Sequence, residues 1–434
     1  MHVPHYDVAI LGAGPAGAAT AIAFANKGKT VLLLEADPRA SDRLAGEWLH
    51  PSATSVLDRL GVTLKPLKPF STGRGWVLYP DDGSAPVVLP YSVGSSGHAM
   101  EHNLLVETLR QHAIHQPGVT YVHFARGMRI DGQTLTYSLR EARNSGFEAE
   151  RILSVSAKLI VGASGRAAQL EHQPIGQWTE SANPHSRMAG LVLRDVELPL
   201  EGYQHVFVGG PGPIVVHRIG PRELRVLLDV PLSLGISTNE KRAKETATLL
   251  EDSYRSMLPE TLHAAFRRAL HEGSIRWAYN EVRPRGELGR EGFALVGDAV
   301  GCHHPLTGIG LVLALEDAEV LAESKTVSEY AKRRVRETRV TEMLAVALYE
   351  VCADSSPATV GLRQAVFRML REKPSERLRT MGFISGQNQS HSDFAYSFAA
   401  MLVRGSRDLA VSGISSRRFF ETKALVSDLG SRLA

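Results

Sequence analysis

Gly12, Gly14 and Gly17 stand as G-x-G-x-x-G between an apolar, β-prone run at 6–11 and an Ala-rich run at 16–27 that Gly28 stops. Few folds accept that order. Glycines at these positions leave the backbone bare, so a pyrophosphate can approach it, and Pro15 and Ala16 open a helix whose N-terminal N–H groups and dipole favour the anion. A second buried strand at 30–34 ends in Glu35 and Ala36, and Glu35 lies 23 positions after Gly12. There a carboxylate can accept hydrogen bonds from an adenosine ribose. The unit is therefore a dinucleotide-binding βαβ. It suits FAD and NAD alike, whereas NADP would call for Arg in place of Glu35.

Downstream, helices fit 51–60, stopped by Gly61, and 102–115, with a hairpin at 75–91 between them. Short strands with polar turns fill 119–154. An apolar strand at 158–161 then ends in Gly162-Ala163-Ser164-Gly165. From 188 to 230 apolar and polar residues alternate between Gly/Pro breaks, the pattern of an antiparallel sheet, read here as the substrate lobe. Helices fit 239–256 and 259–272, and a buried strand at 293–296 returns to the first lobe. The remainder reads as helical: Val340, Met343, Leu344, Ala347, Leu348 and Val351 keep i, i+3, i+4 spacing, as do Leu362, Ala365, Val366, Met369 and Leu370. A Ser/Gly-rich stretch at 412–416 reads as a loop.

The returning strand carries a second signature. Phe293-Ala294-Leu295-Val296 delivers Gly297-Asp298-Ala299, followed by His304-Pro305-Leu306-Thr307-Gly308-Ile309-Gly310 and an apolar helix to 321. Asp298 at a strand end can bind ribityl hydroxyls. Gly308 and Gly310 let backbone N–H groups at a helix start face the N1/C2=O edge of a flavin, which becomes anionic on reduction, and Pro305 and Ile309 beside them are read as part of the same cofactor-binding turn. A nicotinamide dehydrogenase has no need of this element, so the expected cofactor is FAD.

These two motifs, with Gly165 between them, resemble the FAD-dependent monooxygenases of the para-hydroxybenzoate hydroxylase fold. Within that group Arg43-Leu44-Ala45-Gly46-Glu47-Trp48-Leu49-His50-Pro51, the 304–310 stretch and Ala347-Leu348-Tyr349-Glu350 resemble squalene monooxygenase. The resemblance implies an α/β fold: a Rossmann-like FAD-binding domain (1–74, 98–170 and 281–330), an inserted antiparallel β-sheet substrate domain (75–97 and 171–280) and a C-terminal helical region (331–434). It implies Arg43 and Glu47 near the FAD, Arg43 facing phosphate or ribityl oxygens. It also implies a monooxygenase that uses O2 and a C4a-hydroperoxyflavin to epoxidise or hydroxylate a lipophilic isoprenoid, prenylated-aromatic or polyketide substrate. NAD(P)H would be the reductant, directly or through a separate flavin or flavoprotein reductase. Three departures stand out. Ser164 occupies the position of the family's Asp, which puts direct NAD(P)H handling in question; His102 stands where relatives place an Arg; and the membrane segments of eukaryotic relatives have no counterpart.

Composition narrows the alternatives. With 49 Lys+Arg against 46 Asp+Glu the net charge is +3, too small and too dispersed to imply nucleic acid. Two cysteines, Cys302 and Cys352, give no disulfide framework and suit a reducing cytosol. The polar start reads as lacking a signal peptide, and no apolar run approaches the length of a membrane span; the expected location is cytoplasmic, with peripheral membrane contact left open by the apolar run at 394–403. His303 and His304 read as packing residues of the flavin loop rather than metal ligands, Cys302 as a small spacer, and Lys332, Arg333, Arg334, Arg336 and Arg339 as one solvated helix face. No acid/base pair stands out. Competing readings are a reductase of isoprenoid double bonds like the geranylgeranyl reductases, a flavin halogenase, whose Trp-x-Trp-x-Ile-Pro element is missing, and a non-enzymatic flavoprotein.

Overall fold

A computed structural model describes residues 3–64, 71–142, 148–167, 186–353 and 356–400. β1 (His5–Leu11) and β2 (Val31–Glu35) pair in parallel around α1 (Pro15–Ala25). Every residue of α1 from Ala16 to Phe24 is buried, because the helix is enclosed on both flanks. Its small side chains let α3 (His102–Ile114) and α6 (Gly310–Glu323) approach closely. The sheet runs in the order Gly289–Arg290, Phe293–Leu295, Glu148–Gly162, β1, β2, Val119–His123.

Glu148–Gly162 is a single strand of 15 residues, not a polar stretch followed by a separate apolar strand. Its first half pairs antiparallel with Thr134–Ala142 and leaves Glu150, Arg151, Ile152 and Ser154 exposed, and its second half pairs parallel with β1 from Ser156 to Gly162. A strand that changes partners also changes pattern, because parallel strands in the middle of a sheet are covered on both faces.

The second sheet has seven strands in the order Arg276–Asn280, Ser186–Arg194, Glu223–Pro231, Ile214–Arg218, Tyr203–Phe207, Gly75–Tyr79, Val87–Pro90. All neighbours are antiparallel except Tyr203–Phe207 with Gly75–Tyr79. Period-two alternation splits each strand. Leu191, Val226 and Leu228 pack with Leu250 and Phe266 of two covering helices, α4 (Ala243–Tyr254) and α5 (Glu260–His271). Arg225, Leu227 and Asp229 lie on the opposite face, which is closed by Trp48, in the segment before α2 (Pro51–Arg59), by Leu306, and by α7 (Val327–Ala353), α8 (Pro357–Glu372) and α9 (Pro374–Ile384).

Arg334 corrects the expectation of a solvated basic face on α7. It is 1% exposed and ion-paired to the buried Asp317 at 2.7 Å, while Lys332, Arg336 and Arg339 are exposed. Among the described residues no helix is long and apolar enough to cross a membrane. The run at 394–403 is described only to residue 400; Phe394 is buried edge-on against Phe383. The loop read at 412–416 lies outside the described residues.

Candidate functional site

The two glycine motifs meet. A Cβ on Gly17 would stand 1.8 Å from the Gly12 carbonyl oxygen, and one on Gly12, whose φ is +104°, would stand 2.7 Å from the Ala163 oxygen. Gly297 touches the same turn, since its Cβ would come within 2.9 Å of the Ala16 Cβ. Gly14, by contrast, has nothing within 4 Å of its Cβ position. Gly12 and Gly17 are thus required by the protein's own packing, and Gly14 borders open space.

Glu35 holds this turn from below. Its Oε2 accepts the Ala13 N–H at 2.8 Å and its Oε1 the Asp37 N–H at 2.9 Å. Arg110, in α3, lies 3.8 Å from the same carboxylate and donates to the carbonyls of Ala13 and Pro38. The sequence reading missed Arg110, although one cue was available: it sits on the buried stripe of α3 with Leu105, Val106, Leu109 and Ala113.

On the other side, the Gly297 N–H donates to Asp317 Oδ2 at 2.8 Å. Asp317 is held by Arg285 and Arg334, so a buried charge cluster sets the height of the 297–299 turn. Asp298 is paired with Arg166 at 3.3 Å, one residue past Gly165. Pro305–Thr307 forms a 3-10 turn ending in Gly308, whose φ of +66° is the left-handed conformation that favours glycine. α6 then begins at Gly310 with Ile309 as its cap. Its first turn has no acidic residue and no side-chain cap, and the same holds for α1. Two helix N-termini therefore keep uncapped N–H groups; a Cβ on Gly14 or Gly165 would meet nothing within 4 Å, and one on Gly310 only Asp298 Oδ1 at 3.9 Å.

His102 adds an unsatisfied group: its Nδ1–H donates to the Gly46 carbonyl at 3.0 Å, leaving a buried Nε2 with no partner among the described residues. Burial pushes its pKa down, and Arg43 acts in the same direction. A buried free acceptor beside two uncapped helices is what a polyhydroxylated, pyrophosphate-bearing ligand satisfies. The residues present fit FAD.

Arg43 is exposed. Glu47 is not in a surface pair: it is 5% exposed, and both its oxygens accept from Arg225 at 2.8 Å, with His217 Nε2 at 3.7 Å. Burial alone would raise its pKa, but the adjacent His217 imidazole and the hydrogen bonds from Arg225 outweigh burial and hold it below the ordinary carboxylate range.

Two further histidines act on the 304–310 loop. His50, wholly buried, donates from Nε2 to the Thr307 carbonyl at 2.8 Å, and its Nδ1 accepts from the Tyr91 hydroxyl at 2.7 Å, which in turn accepts the Trp48 Nε1–H at 2.8 Å. Burial lowers its pKa to about 4. His304 accepts the Leu306 N–H at Nδ1 and donates from Nε2 to Asp229 at 3.3 Å. Ser186 and Asn280 also donate to Asp229, and the Tyr349 ring stacks on His304 at 3.8 Å. His303, between Cys302 and His304, is lowered to about 4 by burial and by Arg285. Beside these groups Trp48, Trp76, Val206, Val215 and Leu306 form an apolar cluster closed by Leu344 and Leu348 of α7. A surface hollow of about 570 Å³ lies elsewhere, lined by charged residues of α4 and α5 on the far face of the sheet.

Fold and site together define an FAD-dependent monooxygenase. The chain belongs to the squalene epoxidase family, whose model matches residues 157–410, more than half of the 434. It is similar to a squalene epoxidase of Aspergillus fumigatus, 29% identical over 84% of this chain and 79% of that one. Among solved structures it is similar to a flavin-dependent brominase (TM-score 0.69, 17% identical, 92% of this chain and 98% of that one). PqsL of Pseudomonas aeruginosa, assigned as an FAD-dependent monooxygenase, superposes with a TM-score of 0.62 at 18% identity over 87% of this chain and 99% of that one. The two structures carry the fold alone; the family match carries the chemistry.

Proposed function

We propose that this protein epoxidises a carbon–carbon double bond of a lipophilic isoprenoid, taking one atom of O2. The observation that carries the reading is the apolar cluster of Trp48, Trp76, Val206, Val215, Leu306, Leu344 and Leu348, which adjoins the 304–310 loop. An alkene offers no polar group to recognise, so its site must be shape and apolar surface, and water must be kept from the reacting centre.

In this reading Gly12, Gly14, Pro15, Ala16 and Gly17 hold the FAD pyrophosphate at the start of α1, and Glu35 and Ala36 face the ribose. Arg43, Gly165, Gly297 and Asp298 line the ribityl and phosphate oxygens. Pro305, Gly308, Ile309 and Gly310 lie along the N1/C2=O edge. Glu47 serves at one remove, through its bond to Arg225. When bound, FAD supplies reduction by NAD(P)H and the activation of O2. The chain's own part is to orient the alkene, exclude water and place the uncapped N–H groups of α6 where negative charge develops. We divide the chain into an FAD domain (1–74, 98–170, 281–330), a substrate domain (75–97, 171–280) and a helical region (331–434). Ser164 in place of a carboxylate favours a separate reductase as electron donor. The reading places the enzyme in the cytoplasm, in contact with membranes where its substrate dissolves.

The test is turnover of FAD-loaded protein with squalene, a flavoprotein reductase, NADPH and 18O2. The expected product is a mono-epoxide carrying one labelled oxygen. Turnover under strict anaerobiosis, with loss of a double bond and no oxygen gained, would instead establish the isoprenoid-reductase reading.

A further inference from the structure

We infer that His50 and His304 are positioning residues: two neutral imidazoles that clamp the 304–310 loop from opposite sides and so fix the first turn of α6. The assignment rests on hydrogen-bond bookkeeping. A carbonyl can only accept, so His50 must carry its proton on Nε2 to meet Thr307, and its Nδ1 must then accept from the Tyr91 hydroxyl. Tyr91 in turn accepts from Trp48 Nε1, which can only donate. The chain from Trp48 to Thr307 therefore has one direction and one tautomer. His304 is fixed in the same way, because the Leu306 N–H requires a free lone pair on Nδ1 and leaves the proton on Nε2 for Asp229.

The two bonds reach different bodies. His50 caps α2 in the nucleotide lobe, whereas Asp229 belongs to the seven-stranded sheet. Between them lie only Pro305–Thr307 and Gly308, and a Cβ on Gly308 would already stand 3.3 Å from His50 Nε2. The Thr307–Gly308 peptide thus cannot rotate without orphaning a buried carbonyl. That peptide leads straight into Ile309 and Gly310, whose N–H groups no side chain caps. Neither histidine needs to touch the cofactor. Each acts through the plane of this peptide, and the cost of misplacing it falls on the cofactor's negative charge.

This rests on the flavin edge lying against Gly308–Gly310, and it is tested apart from any substrate. The variants are His50→Leu, which removes the donor; His50→Gln, whose side-chain amide can still donate to Thr307; and Tyr91→Phe, which frees Nδ1. The readouts on full-length protein are the FAD dissociation constant by flavin fluorescence and the midpoint potential of the bound flavin. His50→Leu is expected to weaken FAD binding about tenfold and to make the potential more negative, as loss of one buried hydrogen bond implies. His50→Gln should recover most of both, and Tyr91→Phe should fall between. A His50→Leu protein that is folded by circular dichroism and binds FAD with wild-type affinity and potential overturns the clamp and leaves the flavin site standing. Equal defects in His50→Leu and His50→Gln overturn it as well. A wild-type chain that takes up no FAD overturns the flavin site itself.

Discussion

Glu47 and Arg225, 178 positions apart, form a two-point ion pair that is buried on both sides. It ties the loop after β2 to the centre of the seven-stranded sheet. Removing one partner leaves a charge without water or counterion, so Glu47→Ala is expected to cost about 3–5 kcal/mol. Replacing both with apolar residues, Glu47→Leu with Arg225→Met, should recover most of that loss, because a buried pair gains little over well-packed hydrocarbon. Urea denaturation of the two single variants and the double variant supplies the cycle. Additive losses would show that the two side chains act independently.

A second buried cluster supports the 297–299 turn. Asp317 is 0% exposed and serves as shared counterion to Arg285 and Arg334 while accepting the Gly297 N–H. Asp317→Asn keeps the shape and one acceptor but takes the closest counterion from two buried guanidinium groups, leaving Arg285 with Glu342 at 3.7 Å and Arg334 with Glu316 and Glu337 at 3.1 and 3.4 Å. The expected loss is about 3 kcal/mol, with a fall in bound flavin as the 297–299 turn loosens. Denaturation midpoint and the ratio of flavin to protein absorbance check both parts. A variant with a normal midpoint and full flavin content would refute the cluster's role.

The local parts of this architecture were legible in the sequence and the long-range parts were not. Gly12, Gly14 and Gly17 with Glu35, and Asp298 with Gly308 and Gly310, are short motifs whose spacing carries their geometry. The alternation at 188–230 announced the sheet. The partners of Glu47 and Asp298 were invisible, because Arg225 and Arg166 reach them only through tertiary folding. Arg334 was misread for a different reason. Its neighbours in sequence are charged, but on a helix it lines up with Tyr330, Thr338 and Thr341, all buried, and that stripe marked it as inward-facing. His50 passed as a motif residue because its role depends on Tyr91 and Thr307, 41 and 257 positions away.

Acid should destabilise the protein through buried histidines. His50 and His205 are each lowered from 6.5 to about 4, in both cases chiefly by burial. A depressed folded-state pKa means that the unfolded chain binds the proton first. Stability is therefore full above pH 6.5 and is lost as pH falls from 6.5 toward 4, by about 3 kcal/mol for each histidine. Urea midpoints between pH 7 and pH 5 should fall accordingly. His50→Gln should remove one proton's share of that slope; a slope unchanged in the variant would show that His50 does not titrate as argued.

The glycines of the first motif separate folding from cofactor binding. At Gly17 a methyl group would lie 1.8 Å from a carbonyl oxygen of its own turn, so Gly17→Ala is expected to cost the apoprotein about 2–3 kcal/mol. At Gly14 the backbone is extended, with φ −73° and ψ −173°, and nothing lies within 4 Å of the added methyl. Gly14→Ala should leave apoprotein stability within about 0.5 kcal/mol of wild type. The methyl would nevertheless occupy the space where a pyrophosphate must approach the backbone, so FAD affinity should fall by about tenfold or more. Thermal melting of the apoproteins and FAD titration by fluorescence distinguish the two effects. If Gly14→Ala bound FAD as tightly as wild type, the pyrophosphate could not lie against this turn, and the placement of the cofactor between the two glycine motifs would have to be abandoned.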